Sequence, residues 1–490
     1  MNTSVLLQQS NVEDLPLLEP SEFREDLSLR CQSGERVLTL YGRRAAEGVT
    51  ITAALQAPDG CVRIRRTRPS GDRAYQELTS QWPAFHCFER ELHEQTGIEM
   101  PGHPWLKPIR FQGREPSAMK AYPFYRVEGK EVHEVAVGPI HAGVIEPGSF
   151  RFMCLGEQVH HLEVQLGYQH RGVEHLLLQQ DPRRLGPWVE TIAGDTSIAH
   201  TWAYCAALES LAGCESEPGV EVGRAVLLEL ERVAMHLAGL SGLAADVGFL
   251  QGATSYGRLR TSAINTTLRL CGSRFGRGAL QPGGNRVHLT TDLLKIVQAN
   301  VDLLRRDLEL INAHVQASWT LKNRLRGVGV LAESRARELG LVGLVARASG
   351  VPIDERARAL RGAYGLLPMQ SVVLNEGDCW ARAQVRIQEM DASLAWISGM
   401  LALYPSWAPS RQAIGPLAPS QLVLALVEGW RGEVMHCLET DAAGRLAHYK
   451  VQDASLRNWM GLALAVRSNE ISDFPICNKS FDLSYCGHDL

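Results

Sequence analysis

No two of the eleven cysteines lie close enough to form a C-x-x-C pair; they stand at positions 31, 61, 87, 154, 205, 214, 271, 379, 437, 477 and 486. Structural zinc sites and iron–sulfur clusters usually draw on clustered thiolates, so this scatter argues against either inside the chain. An odd count without a secretion signal fits reduced, buried thiols in the cytoplasm. The leading residues, MNTSVLLQQSNVEDLP, have neither a basic n-region nor a sustained apolar run, so no signal peptide is expected. No stretch approaches the roughly 18 apolar residues of a membrane span, and any membrane contact is expected only through partner subunits. A net charge of −4 leaves no electrostatic footprint for nucleic acid. Internal repeats and low-complexity segments are missing too.

What remains is an ordinary globular composition, 45% hydrophobic and 21% charged over 490 residues, enough for two or three domains. Residues 1–20 are polar and read as an arm. Residues 21–126 read as a separate α+β domain. In it RVLTLYG, VTITAALQA and CVRIRRTR alternate as strands do, with turns such as Asp59-Gly60 between them. Arg63, Arg65, Arg66 and Arg68 alternate closely enough to form one solvated strand face. Trp82 to Gly97 has an amphipathic helical pattern with Pro at its start and Gly at its stop. His86, Glu89 and His93 share a face of that helix, but no fourth ligand is near, and a surface or interface helix is the better reading.

Residues 127–490 read as a large helix-rich, bundle-like domain that opens with a β-hairpin layer. The hairpin stretch, Val135 to Gln180, strings His141, Glu146, His160, His161, His170, Arg171, Glu174 and His175 through apolar, Gly-punctuated sequence. It contains turn steps at Gly138-Pro139 and Pro147-Gly148, and Phe150 to Leu155 forms a β-like run between the second turn and Gly156-Glu157. Helices are expected over Pro187–Ala212, Glu221–Gly248, Asp292–Lys322 and Trp380–Tyr404, with a break at Gln281–Asn285. In the second helix Leu227, Leu230, Ala234 and Leu237 share the apolar face. Glu229, Arg232 and His236 lie opposite, as a solvated stripe would. Gly327-Val-Gly329 is too little for a dinucleotide fingerprint. β-like runs return at Gly432–Glu439 and Arg445–Val451. The fold class is α+β.

Several segments together carry a resemblance: GPIHAGVIEPGSFRF (138–152), LGYQHRGVEHL (166–176), AGDTSIAHTWAYC (193–205), LLELERVAMHLAGL (227–240), GDCWARAQVRIQEM (377–390), VEGWRGEV (427–434) and the C-terminal tail. They resemble the large subunit of membrane-bound, energy-converting nickel–iron hydrogenases of the formate hydrogenlyase type, and equally the quinone-site subunit of respiratory complex I. Residues 82–111 resemble the smaller complex I partner subunit, here fused in front. In a working nickel–iron site two C-x-x-C pairs hold the metals, because soft thiolates suit nickel. Laid on this chain, those positions fall at Ala193 and Thr196 and at Ser484 and Gly487, so all four ligands are replaced. The tyrosine of the complex I quinone site falls at Gly194. His141 lies in the matching hairpin, and Glu146 matches a proton-relaying glutamate.

The resemblance therefore implies the hydrogenase-related branch that keeps the architecture without the metal ligands. Asp195, Thr196, Ser484, Cys486, His488 and Asp489 would line the emptied cavity beside His141 and Glu146, a set suited to proton handling or a polar ligand. It further implies a subunit of a membrane-bound, ion-translocating oxidoreductase complex, peripheral at the inner face of the cell membrane. The expected partners are an iron–sulfur small subunit, a ferredoxin-like subunit and antiporter-like membrane subunits. No cofactor is expected in this chain; iron–sulfur clusters would sit in the partner, and a quinone or small redox substrate would react in the cavity. Hydrogenase activity itself is disfavoured. The competing reading is a redox-silent structural or coupling subunit.

Overall fold

The computed structural model describes residues 3–69, 75–113, 115, 117–129, 131–141, 145–358 and 361–490. The chain is α+β. Strand β1 (Leu6–Asn11) belongs to the segment read as an arm, yet it pairs antiparallel with a strand near the chain's other end, Leu6 opposite Leu426. Helix α1 (Pro20–Gln32) leads into the antiparallel strands β2 (Arg36–Ala45), β3 (Gly48–Gln56) and β4 (Val62–Thr67). Along β3, Ile51, Ala53 and Leu55 join a core with Phe85, Phe88 and Leu92, whereas Ala54 turns to the opposite face. Both faces of this sheet are thus covered. Arg63 pairs with Glu35 at 3.0 Å and Arg65 with Asp26 at 3.0 Å, so the basic strand is locally neutralised.

Helix α2 (His86–Thr96) crosses this sheet at Gly42, where an added Cβ would lie 2.4 Å from Leu92. It is buried, not surface-facing. Glu89 accepts from the Tyr75 hydroxyl at 2.6 Å and from the backbone N–H groups of Leu78 and Thr79. Those bonds occupy both carboxylate oxygens, and His93 is bonded to the Ile98 carbonyl. On the far side Glu91 pairs with Arg110 and with Lys450 of the large domain.

The hairpin layer is a three-stranded antiparallel sheet, β5 (Val132–Val137), β6 (Ser149–Leu155) and β7 (Gln158–Gln165), in that order. After it, the helix expected over Pro187–Ala212 is interrupted. A single turn, Gly186–Val189, precedes a non-helical Glu190–Thr196 segment, and α3 (Ser197–Leu211) follows. Glu190 holds the Gly278 N–H at 2.5 Å and Arg171 takes the Thr191 and Ile192 carbonyls, so the intervening backbone is claimed by other elements.

Four long helices form the bundle: α4 (Pro218–Asp246), α5 (Leu250–Cys271), α6 (Thr291–Ala317) and α7 (Cys379–Leu403). In α6, Val297, Val301, Leu304, Leu308, Ile311 and Val315 make the buried stripe. It stops five residues short of the expected Lys322, because Ser318 caps a new helix, Trp319–Leu325, through the Leu321 N–H at 3.3 Å. Strands β8 (Gln421–Glu428), β9 (Glu433–Thr440) and β10 (Leu446–Gln452) then pair antiparallel and complete the sheet begun by β1, with α3 packed on it. The chain ends in α8 (Ala454–Ala465), α9 (Phe474–Phe481) and α10 (Tyr485–Asp489).

Candidate functional site

The loop between β5 and β6 carries the first two candidate side chains; residues 142–144 of its motif lie outside the described residues. The loop neck is pinched at Gly138, whose φ is +87° and where a Cβ would lie 2.0 Å from the Gly148 carbonyl oxygen. His141 closes the neck by donating from Nε2 to that same oxygen at 3.0 Å. Gly148 also bears on the C-terminal helix, since a Cβ there would lie 2.6 Å from the Tyr485 ring. Glu146 accepts from the Tyr485 backbone N–H at 3.4 Å. Burial, with the Glu146 carboxylate beside it, pushes the Cys486 thiol up to about 11, so at neutral pH it is a thiol.

The two segments that would carry metal ligands do converge. Arg171 ties them, donating to the carbonyls of Thr191 and Ile192 in the first and of Cys486 in the second. Between them sits a guanidinium that sequence reasoning passed over. Arg431 grips Asp195 with two parallel bonds of 2.7 Å and donates to Thr196 Oγ1 at 3.2 Å. Its Nε donates to the Asp482 carbonyl, and its neighbour Trp430 donates to the Asp195 carbonyl at 2.9 Å. The Asp195 side chain keeps 39% exposure, so the pair opens outward.

The four positions that the resemblance aligns with metal ligands hold Ala193, Thr196, Ser484 and Gly487. Ala193 is fully buried. Ser484 uses its hydroxyl to cap α10, accepting from the Gly487 N–H at 2.9 Å. Gly487 packs on Asp453, whose Cγ would be 2.8 Å from an added Cβ, so a cysteine side chain has no room. Gly194 has the Arg277 guanidinium 3.2 Å from where its Cβ would be. One thiol, Cys486, and two hydroxyls do not fit a centre that takes soft thiolates.

Beneath Gly487 a buried polar chain runs inward. Asp453 faces His200 Nε2 at 3.3 Å, His200 Nδ1 faces His436 Nε2 at 3.1 Å, and His436 Nδ1 meets the Tyr449 hydroxyl at 2.9 Å. Burial raises the Asp453 carboxyl, but His200 and Arg431 outweigh it and hold it at about 2. His436 is depressed by burial and by His200 and stays neutral. His200 and Arg431 lie in segments already noted for their resemblance and His436 in the expected β-like run Gly432–Glu439, but helical or strand spacing alone gave no reason to single them out.

Two expected cavity residues point elsewhere. Asp489 anchors the chain end, accepting from the N–H groups of Gly167 and Gln169 at 2.8 and 2.9 Å. His488 bonds to the Asp489 carboxylate at 2.8 Å and lines a separate cavity against the N-terminal domain. In an α-helix residues two apart are rotated by about 200°, so Cys486 and His488 diverge. Glu174, in the same hairpin stretch, lies at the domain junction, accepting from the Val451 N–H at 3.0 Å and pairing with Lys450.

The stripe Glu229, Arg232, His236 is fully buried, contrary to the solvated face its spacing resembles. Its partners come from distant segments. Glu389 binds His236 at 2.8 Å and Arg347 at 2.7 Å; Arg347 also binds Glu428 at 2.7 Å. Glu229 takes Arg232, Arg356, Tyr364 and Ser393. Arg232 then donates to the carbonyls of Glu428 and Gly429, which fixes the turn that presents Trp430 and Arg431.

A fused pair of respiratory-type domains around a polar, thiolate-poor site defines the class. Residues 29–125 match the family described as the respiratory-chain NADH dehydrogenase 30 Kd subunit, and residues 246–414 that of the 49 Kd subunit. The chain is 30% identical over 352 residues to the carbon monoxide-induced hydrogenase of Rhodospirillum rubrum, covering 71% of this chain and 97% of that one. It is 28% identical over 440 residues to formate hydrogenlyase subunit 5 of Escherichia coli (strain K12), covering 84% and 76%. The chain belongs to this family of hydrogenase large subunits and 49 Kd-type NADH dehydrogenase subunits. Its fold matches a chain in the structure of an archaeal membrane-bound sulfane sulfur reductase, with a TM-score of 0.69 at 24% identity over 75% of this chain and 100% of that one.

Proposed function

We propose that this chain is a peripheral subunit of a membrane-bound, complex I-like oxidoreductase complex and works without a nickel–iron centre. The Asp195–Arg431 pair then stands between the former ligand segments and receives the polar head of a quinone or small redox substrate. The observation that carries this reading is the guanidinium held by two 2.7 Å bonds between segments that otherwise keep their hydrogenase-like convergence. Arg431 supplies a fixed positive charge where negative charge develops on a reducing carbonyl or comparable group. Glu146, which accepts from the Tyr485 N–H beside Cys486, would exchange a proton with that site. Electrons would come from an iron–sulfur partner subunit, since the cysteines of this chain are dispersed. Among the described residues no helix is long and apolar enough to cross a membrane, which supports attachment through partners.

Replacing Asp195 by Asn in the assembled complex tests the reading. Electron transfer should fall by at least about tenfold, equivalent to about 1.4 kcal/mol, with subunit composition unchanged. Undiminished electron transfer would favour the redox-silent structural role.

A further inference from the structure

A second cavity lies on the opposite side of the C-terminal helix, between the N-terminal domain and the large domain. Its volume is about 490 Å³, within the range of about 300–1,000 Å³ typical of small-molecule pockets. Leu162, Leu166, Leu456, Met460 and Ala463 give it an apolar body. Its polar lining is unusual for a packing defect. His86, 7% exposed, has no hydrogen-bond partner on either ring nitrogen. Burial, helped by Arg90, His103 and His488, lowers its pKa to about 3, so the ring is neutral and carries one N–H and one lone pair. Trp459, 4% exposed, has an indole N–H with no acceptor. His161 accepts the Arg467 guanidinium on Nδ1 at 3.1 Å, which leaves its proton on Nε2, and that nitrogen is buried without a partner.

Buried polar groups are nearly always bonded, and each orphan costs the desolvation that a partner would offset. Four such nitrogens, on three side chains lining one apolar cavity, therefore describe a complement, not a void. The charged groups nearby are already engaged. Arg90 donates to the carbonyls of Lys107 and Pro108, and Glu163 holds Lys107 at 2.6 Å. Arg467, the other cation of the lining, donates to His161 Nδ1, so each charged side chain there already has a hydrogen-bonding partner.

We propose that this interdomain cavity binds an uncharged apolar molecule through a carbonyl oxygen that accepts from the N–H groups of His86 and Trp459. The proposal is independent of the Asp195–Arg431 reading. Occupancy would be felt at that site all the same. The Trp459 ring packs on Tyr485 at 4.9 Å and on Phe150 at 6.1 Å, the two residues that flank the hairpin neck.

The carbonyl can belong to a quinone ring or to an acyl ester, and calorimetric titration of the full-length chain separates them. Menadione and methyl decanoate are the probes, with decane as the control that lacks the oxygen. One carbonyl probe should bind at one per chain, and decane at least about tenfold more weakly. Binding of menadione alone identifies the ring carbonyl as the source, and of methyl decanoate alone the ester. His86→Phe should abolish binding while raising the melting temperature of the ligand-free chain, because the two orphaned nitrogens disappear. Ala463→Leu should weaken binding with His86 intact. Decane binding as tightly as the esters or quinones, or no binding at all, would overturn the proposal. A lower melting temperature for His86→Phe would do so too, since it would show that His86 is already satisfied.

Discussion

Two charged regions of the large domain lie side by side and are built on opposite principles. Around Glu229, Arg347, Arg356 and Glu389 every charge is within 2% of full burial and is met by a counter-charge or by several donors. At the hairpin and C-terminal helix, Asp195, His141, Glu146 and Cys486 are half-buried, and each keeps bonding capacity toward the outside. The difference teaches which region can react. A closed ionic core gains nothing from further ligands and is expensive to disturb. In the Asp195–Arg431 pair the aspartate keeps 39% side-chain exposure while the arginine keeps 7%, so a ligand can reach the pair from one side. The closed core serves the open site through Arg232, which pins the turn carrying Arg431.

The comparison breaks most sharply at Glu389. Its removal by Glu389→Ala strands Arg347, Arg356 and His236 inside the protein. A loss of about 3–5 kcal/mol is expected in urea denaturation; a loss below about 1 kcal/mol would show that the core tolerates unpaired charge. Gly487→Cys comes next. The new side chain meets the Asp453 carboxylate, so the chain should lose about 1–3 kcal/mol through overpacking and should not gain nickel.

A third prediction concerns pH. Glu231, buried on α4 and accepting from the Ile198 N–H at the start of α3 at 2.8 Å, is raised by burial to about 8 from an ordinary 4.5. For a group whose folded pKa is raised, the stabilisation is complete below about 4.5 and is lost as pH rises through about 8. Chemical denaturation between those values should show stability declining with pH, and Glu231→Gln should flatten the slope. An unchanged slope would mean that the carboxyl is ionised in the folded protein. The smallest effect is expected on the open side. His141→Ala removes one half-buried bond and should cost about 0.5–1.5 kcal/mol, with the complex still assembled.

Much of this architecture was legible from local pattern. The alternating strands of the N-terminal domain, the hairpin, α4 and α7 follow from spacing and turn residues. The Glu146 carboxylate lies beside Cys486, where the hairpin loop meets the C-terminal helix. What escaped was set by distance along the chain. A helical stripe of Glu229, Arg232 and His236 has the same spacing whether it faces water or Glu389, Arg356 and Glu428. The identity of its surroundings lies more than a hundred residues away. The strand Leu6–Asn11 looked polar because its partner, Gln421–Glu428, is at the other end of the sequence. His488 was assigned to the wrong side because two residues of helical rotation separate it from Cys486. Arg431 is the clearest omission: a single arginine after a glycine and a tryptophan gives no hint of the aspartate it holds.

The central claim is that a polar pair has taken the place of a metal centre in a subunit that still transfers electrons. Nickel content measured on the assembled, electron-transferring complex tests it most directly. The account predicts activity with no stoichiometric nickel, reduced at least about tenfold by Asp195→Asn. One nickel per chain in the active complex would contradict it.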